Sequence, residues 1–255
     1  MKFGIPFVLI FLLSINTLMA QSSRQTVTQP ISWASYTANI KTSKKTLWFV
    51  DTQFRFAASA AADQALEPMQ YMLRSHLDFK ITKDLSIALL GGALIRNFRY
   101  GKQPVSIPNG EYRLYQQFMY EHKLGRLKVS HRLRTEERFI EEHDPVTGES
   151  TGHTNRQFRP RYRFLANLPL NKKEDDAVKF TAQFFYEGFL SRGKKVTFHE
   201  IDQSRVFTGL TCKPGKSLTF ALGWYYQMLI KSNGAKQENN FGTLLTVTHN
   251  LSLIK

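Results

Sequence analysis

Apolar and polar residues alternate at every second position along most of the chain. From Trp48 to Phe56, one face carries Trp48, Val50, Phe54 and Phe56, and the other carries Phe49, Asp51, Gln53 and Arg55. From Tyr71 to Lys80, Tyr71, Leu73, Leu77 and Phe79 oppose Arg74, His76, Asp78 and Lys80. From Leu218 to Lys231, Leu218, Phe220, Leu222, Trp224, Tyr226, Met228 and Ile230 oppose Thr219, Ala221, Gly223, Tyr225 and Gln227. A period of two marks strands, whose successive side chains point to opposite faces. About eleven such segments follow the first twenty residues, separated by turn signals and without a helical stripe, so the chain is predicted to be all-β.

The segments run beyond the roughly 9 to 11 residues that a tilted strand needs to cross a bilayer. Their charged faces are as regular as their apolar ones. Arg132, Arg134, Glu136 and Arg138 share one parity, as do Arg159, Arg161 and Arg163, with Phe158, Tyr162 and Phe164 between and beside them. A soluble sandwich or barrel turns its apolar face inward. Strands this long, apolar along one whole face, instead predict an antiparallel transmembrane β-barrel of ten to twelve strands, with charges inside and lipid outside.

Turn lengths alternate too. Short connections fall at Lys41 to Lys45, Thr82 to Asp84, Leu124 to Arg126, Asn171 to Asp176 and Lys213 to Lys216. Long ones fall at Ala57 to Glu67, Gly101 to Asn109, Glu141 to Thr154, Arg192 to Glu200 and Ser232 to Glu238. Short periplasmic turns and long outer loops are the pattern of outer-membrane barrels. A count of eleven puts the N-terminus on the long-loop side and conflicts with the even strand numbers of single-chain bacterial barrels. The expectation is therefore an additional first strand at Ser22 to Gln29, built on Thr26-Val27-Thr28 and giving twelve, with ten as the alternative if one weak segment stays outside the barrel.

Basic residues divide by place. Lysines gather in turns (Lys41, Lys44, Lys45, Lys83, Lys172, Lys173, Lys213, Lys216), whereas most arginines lie within strands, where a planar guanidinium suits fixed pairing with carboxylates. Parity predicts an interior charge network of Arg55, Arg74, Asp78, Glu111, Arg113, Arg132, Arg134, Glu136, Arg138, Arg159, Arg161, Arg163, Glu187 and Arg205, with Asp51 and Glu121 as further acids. Trp33, Trp48, Trp224, Tyr225, Tyr226, Tyr112, Tyr115 and Tyr120 are expected in aromatic girdles at the membrane interfaces.

Composition narrows the class. With 42% hydrophobic and 22% charged residues in 255, the chain is not disordered, and a mean hydropathy of −0.33 excludes a bundle of membrane helices. Met1-Lys2, the apolar stretch Phe3 to Leu18 and the ending Leu18-Met19-Ala20 predict a signal peptide over 1–20, followed by one domain over 21–255. Gln21 in place of a cysteine excludes lipid attachment there. The lone Cys212 allows neither an internal disulfide nor a cysteine-based zinc site. The 35 Lys and Arg against 20 Asp and Glu give +15, or +14 without Lys2, so acidic partners are expected.

Several runs carry a family likeness. Glu111-Tyr112-Arg113-Leu114-Tyr115-Gln116-Gln117, Arg132-Leu133-Arg134-Thr135-Glu136-Glu137-Arg138-Phe139, Arg159-Pro160-Arg161-Tyr162-Arg163, Asp202-Gln203-Ser204-Arg205 and Gly223-Trp224-Tyr225-Tyr226-Gln227 resemble the uncharacterised outer-membrane barrel family called domain of unknown function 2490. The resemblance spans nearly the whole chain after the leader. It implies a Gram-negative outer-membrane location and a β-barrel, with no assigned activity, and Glu111, Arg113, Arg134, Glu136, Arg138, Arg161, Arg163 and Arg205 are the family-like positions. The ending Leu251-Ser252-Leu253-Ile254-Lys255 departs from the terminal aromatic by which many such barrels meet the assembly machinery.

Two functions follow from an inward arginine network: a narrow anion-preferring channel, or a barrel plugged by its own side chains. A barrel enzyme acting on envelope lipids is the alternative, together with a surface-binding protein using the long loops. Ser130 and His131 are adjacent on a strand and so point to opposite faces, which denies them a direct nucleophile–base pairing. No catalytic residue, cofactor site or metal site is assigned. His143 and His153, near Glu141, Glu142 and Asp144, read as a solvated loop rather than a cation site. Gly91-Gly92 lacks the Lys-Ser/Thr of a phosphate loop and reads as a kink or close approach. The expected partners are outer-membrane lipid, the barrel-assembly machinery and a small anionic solute, with nucleic acid excluded by export and by acids interspersed among the bases.

Overall fold

The computed structural model describes residues 24–58, 66–98, 108–144, 146–171 and 178–254. The expected signal peptide over 1–20, most of the loops expected at Ala57 to Glu67 and Gly101 to Asn109, and Lys172 and Lys173 lie outside the described residues.

Every regular element among the described residues is a strand: β1 Gln25–Lys41, β2 Thr46–Ala58, β3 Leu66–Lys80, β4 Leu85–Asn97, β5 Asn109–Leu124, β6 Leu127–His143, β7 Ser150–Pro169, β8 Lys179–Leu190, β9 Arg192–Gly193, β10 Ile201–Lys213, β11 Leu218–Ile230 and β12 Lys236–Ser252. Eleven of them form a closed ring, in the order β6-β5-β4-β3-β2-β1-β12-β11-β10-β8-β7, with β6 pairing β7 to complete the circle. The two-residue β9 is an appendage on the outer end of β7, where Gln157 faces Gly193 and Phe158 faces Arg192.

The ring lies within the expected ten to twelve strands, but its odd count corrects the expectation of an even one. Neighbours joined in sequence are antiparallel, so in a meander with an odd count the first and last strands run the same way. The closing pair is accordingly parallel, with β1 lying along β12 from Gln25↔Lys236 to Lys41↔Ser252. The segment expected as an additional first strand is instead the outer end of β1, from Gln25 onward, because nothing breaks the chain between Gln29 and Ile31. The long connection expected over Glu141 to Thr154 is also shorter than read: β6 and β7 remain paired as far as His143↔Ser150.

Burial is inverted relative to a soluble protein. Asp51, Arg55, Glu111, Arg134, Glu136, Arg159, Arg161 and Glu187 are buried, while Trp48, Leu73, Leu94, Leu114, Phe118, Leu222 and Trp224 on the alternate positions are exposed. Water would penalise an outer wall of this kind, whereas hydrocarbon accepts it; the backbone is satisfied by the closed ladder, as a membrane-spanning sheet requires. The protein is a transmembrane β-barrel, with strands of 12 to 20 residues apart from β9.

Two local irregularities shape the wall. Pro160 in β7 has no N–H to give, and it lies between the last β7–β8 pair, Arg161↔Phe189, and the first β7–β9 pair. The chain turns at Ser191, whose backbone N–H instead finds Asp202 Oδ1 at 3.2 Å. In β4, the registers with both neighbours slip, between Ser75 and Leu77 on β3 and between Ala88 and Gly91 on β4. Leu90 sits in this bulge with φ of 56° and is 94% exposed. That backbone region is unfavourable for a bulky residue, and a bulge is where a sheet tolerates it.

Candidate anion-binding interior

β5, β6, β7, β8 and β10 deliver the charged side chains to one level of the interior because each alternates with lipid-facing residues. Glu136 on β6 is the most connected acid. Arg159 donates to its Oε2 from Nη2 at 2.6 Å and from Nε at 3.1 Å, and Arg161 Nη1 lies 3.1 Å from Oε1. Arg134 and Arg113 stand further off, at 3.8 and 3.9 Å. Glu111 accepts from Arg113 Nε at 2.5 Å and holds Arg138 in a two-pronged contact, at 2.5 and 3.0 Å. Glu187 on β8 accepts from Arg132 Nη2 at 2.5 Å, with Arg161 at 3.3 Å and Arg205 at 3.7 Å. On the opposite wall, Asp51 accepts from Arg74 at 2.8 Å, from Thr37 at 2.9 Å and from Gln53 at 2.9 Å.

Aromatic rings complete the layer. Arg55 lies over Trp33 at 3.9 Å and Arg134 over Tyr115 at 4.2 Å, while Arg159, Arg161 and Arg205 surround Phe189 at 5.1, 5.2 and 4.6 Å. Such stacking offers a desolvated guanidinium a partner without another carboxylate. Trp33, Tyr115 and Tyr225 therefore do not belong to the interfacial girdles where they were expected: they are 7%, 3% and 0% exposed. Parity carried the signal, since Tyr115 shares its face with Arg113 and Tyr225 shares its face with Gln227. Trp48, Trp224, Tyr112 and Tyr120 do lie on the outer surface.

The layer is asymmetric along the barrel. Toward the long loops Ile31, Trp33, Ala57, Met69, Phe207 and Tyr225 form a buried apolar cluster, and the buried Gln29–Asn240 bond at 2.9 Å lies among the long-loop-end residues of β1 and β12. Toward the short turns a cavity of about 380 Å³ opens, lined by Arg55, Arg74, Arg132, Arg134, Arg161, Arg163 and Arg205, with Asp51, Asp78 and Glu187. Leu47, Asp78 and Met119 border both this cavity and a second one of about 350 Å³ at the short-turn end, which is ringed by Lys41, Lys44, Lys45, Lys80 and Lys83. Glu121 is exposed at that mouth rather than in the interior network.

The cationic surplus has a structural expression. Nε of Arg55, Arg74, Arg132, Arg161 and Arg163 and Nη1 of Arg134 are buried with no hydrogen-bond acceptor among the described residues, and all six side chains line the cavity. Arg163 contacts no carboxylate within ion-pair distance among the described residues. Asp78 meets a histidine, not an arginine: His76 Nε2 lies 3.1 Å from its Oδ2, while His76 Nδ1 lies 2.8 Å from the Tyr115 hydroxyl. Low-dielectric walls concentrate the field of such a set and favour an anion within it.

Other candidate chemistry is placed elsewhere. His131 is on the outer wall, with Nδ1 2.6 Å from the Tyr162 hydroxyl and its ring parallel to that of His122. Ser130 is buried. His143 contacts Glu141 at 3.3 Å and His153 is exposed; no cluster of three or more metal-ligating side chains occurs among the described residues.

Residues 31–239 match the model of the family described as protein of unknown function (DUF2490). The chain belongs to this family. The match covers every strand that contributes an arginine or glutamate to the layer, from the outer half of β1 to the start of β12. No curated protein matches the chain. Among solved structures, OmpT (in-vitro folded), an outer membrane protein of Vibrio cholerae, aligns at a TM-score of 0.35 with 12% identity, over 75% of this chain and 57% of that one. The chain thus spans little more than half the length of that neighbour.

Proposed function

We propose that this DUF2490 protein is an outer-membrane barrel that binds a small anion from the short-turn, periplasmic side and does not conduct ions across the membrane. The observation that carries the reading is the set of six cavity-lining arginines with unsatisfied N–H groups, beneath a buried apolar cluster toward the long loops. Unsatisfied buried donors are costly, so an anion that accepts from several of them recovers that cost on binding. The lysines around the mouth add steering at low salt. An outer-membrane location is supported by the apolar outer wall of the barrel.

Inorganic phosphate is the probe. Titrated calorimetrically into refolded barrel at low ionic strength, with chloride at equal ionic strength as the reference, it is expected to bind at one site. Arg163→Gln should weaken binding at least about tenfold, a loss of about 1.4 kcal/mol. This variant leaves no carboxylate without its arginine and should fold. No heat from a folded barrel, or unchanged affinity in Arg163→Gln, refutes the reading.

A further inference from the structure

The bulge in β4 lies beside the cationic cavity. A groove of about 620 Å³ on the lipid side is lined by Trp48, Leu77, Leu89, Leu90 and Leu114, and it reaches His76 and Arg113, which also line the interior cavity. Both ladders flanking β4 slip at this level, so the regular backbone bonding is interrupted on both sides of one strand. Tyr115 stands between groove and cavity. Its ring lies so close to Gly91 that a Cβ there would overlap it, and its hydroxyl is held by His76 and by the Ser75 carbonyl at 3.2 Å. Behind it, Arg134 stacks on the same ring, and Arg134 Nη1 and Arg74 Nε lack acceptors.

A lipid-facing apolar groove on one side of the Tyr115 ring, with the under-satisfied guanidinium groups of the cavity on the other, matches a molecule with a hydrocarbon tail and a single acid group. We propose that the β3–β4–β5 bulge is a lateral port for a long-chain carboxylate, whose tail occupies the Leu89–Leu90 groove and whose acid group pairs with Arg74 and Arg134. The proposal rests on reading the cavity as an anion site and names the class of anion. A guanidinium accepts a carboxylate through two parallel hydrogen bonds, which a neutral ester cannot reproduce.

The test uses fluorescence quenching in neutral phosphatidylcholine vesicles. Trp48 is 44% exposed beside the groove, and it becomes the sole tryptophan in a Trp33→Phe, Trp224→Phe barrel. A fatty acid brominated along its chain should quench Trp48 at a membrane mole fraction at least about tenfold lower than its methyl ester does. Gly92→Phe should abolish the preference, because Gly92 lines the groove and a Cβ built there meets no atom within 4 Å. The same variant should retain phosphate binding. Equal quenching by acid and ester, or an undiminished preference in Gly92→Phe, overturns the port. Absence of phosphate binding in the unsubstituted barrel instead overturns the anion site on which it rests, so the two failures are separable.

Discussion

At Glu136 a single carboxylate faces four guanidinium groups, from Arg113, Arg134, Arg159 and Arg161, in a site from which water is almost excluded. Removing one member of a buried ionic set strands the charge of the others, at a typical cost of roughly 3–5 kcal/mol. Glu136→Gln is therefore expected to lower the unfolding free energy by about that amount, read from urea titration of the barrel in vesicles. A loss below about 1 kcal/mol would show that the arginines find other counter-charges. At this scale much is legible from sequence, because parity alone decides which side of a strand a residue occupies. Arg132, Arg134, Glu136 and Arg138 fall on one side of β6 by that rule, and their side chains are all directed inward. Which acid meets which arginine is not legible, because partners such as Arg132 and Glu187 lie 55 residues apart and come together only through strand register. The inward Trp33 and Tyr115 show the converse error. A tendency of aromatics to gather at membrane interfaces is weaker than the alternation of the strand that carries them.

The seam between β1 and β12 belongs to the scale of elements. A parallel closing pair is forced by eleven strands, yet the individual residues of β1 carry no mark of it, and the rule of even counts pointed to an additional strand. At Gly242 a Cβ would overlap the Ile31 carbonyl oxygen, so the two backbones approach there more closely than a side chain allows. The seam register is open to direct measurement. Ser35 and Thr246 are paired across it, with their hydroxyl oxygens 2.8 Å apart. In a Cys212→Ser background, Ser35→Cys with Thr246→Cys should form a disulfide on oxidation of the folded barrel, whereas Ser35→Cys with Asn250→Cys, displaced four residues along β12, should not. Cross-linking of the displaced pair alone would exclude this closure. The β4 bulge was legible only as Gly91-Gly92 within an apolar run: two glycines announce an irregularity without saying that Leu90 would occupy the strained position or that Tyr115 would fill the space beside Gly91.

The whole molecule is organised by two gradients. Across the wall, polarity runs from hydrocarbon-facing aromatics to interior guanidinium groups, and the alternating sequence specifies that gradient almost completely. Along the barrel, the interior changes from the buried apolar cluster beneath the long loops to the cavity above the short turns. The second gradient is not visible in the sequence, since it depends on how side chains from strands distant in the chain interdigitate around a ring of this size. It also determines what the protein can do: a cationic interior open at both ends would pass anions, and one closed at one end can hold them. The most direct test is the single-channel current of refolded barrel in a planar bilayer under a salt gradient, with folding verified by its heat-modifiable migration in gels. The unsubstituted barrel should give no discrete conductance steps. Stable anion-selective steps would contradict this and would mean that the interior layer leaves a continuous path.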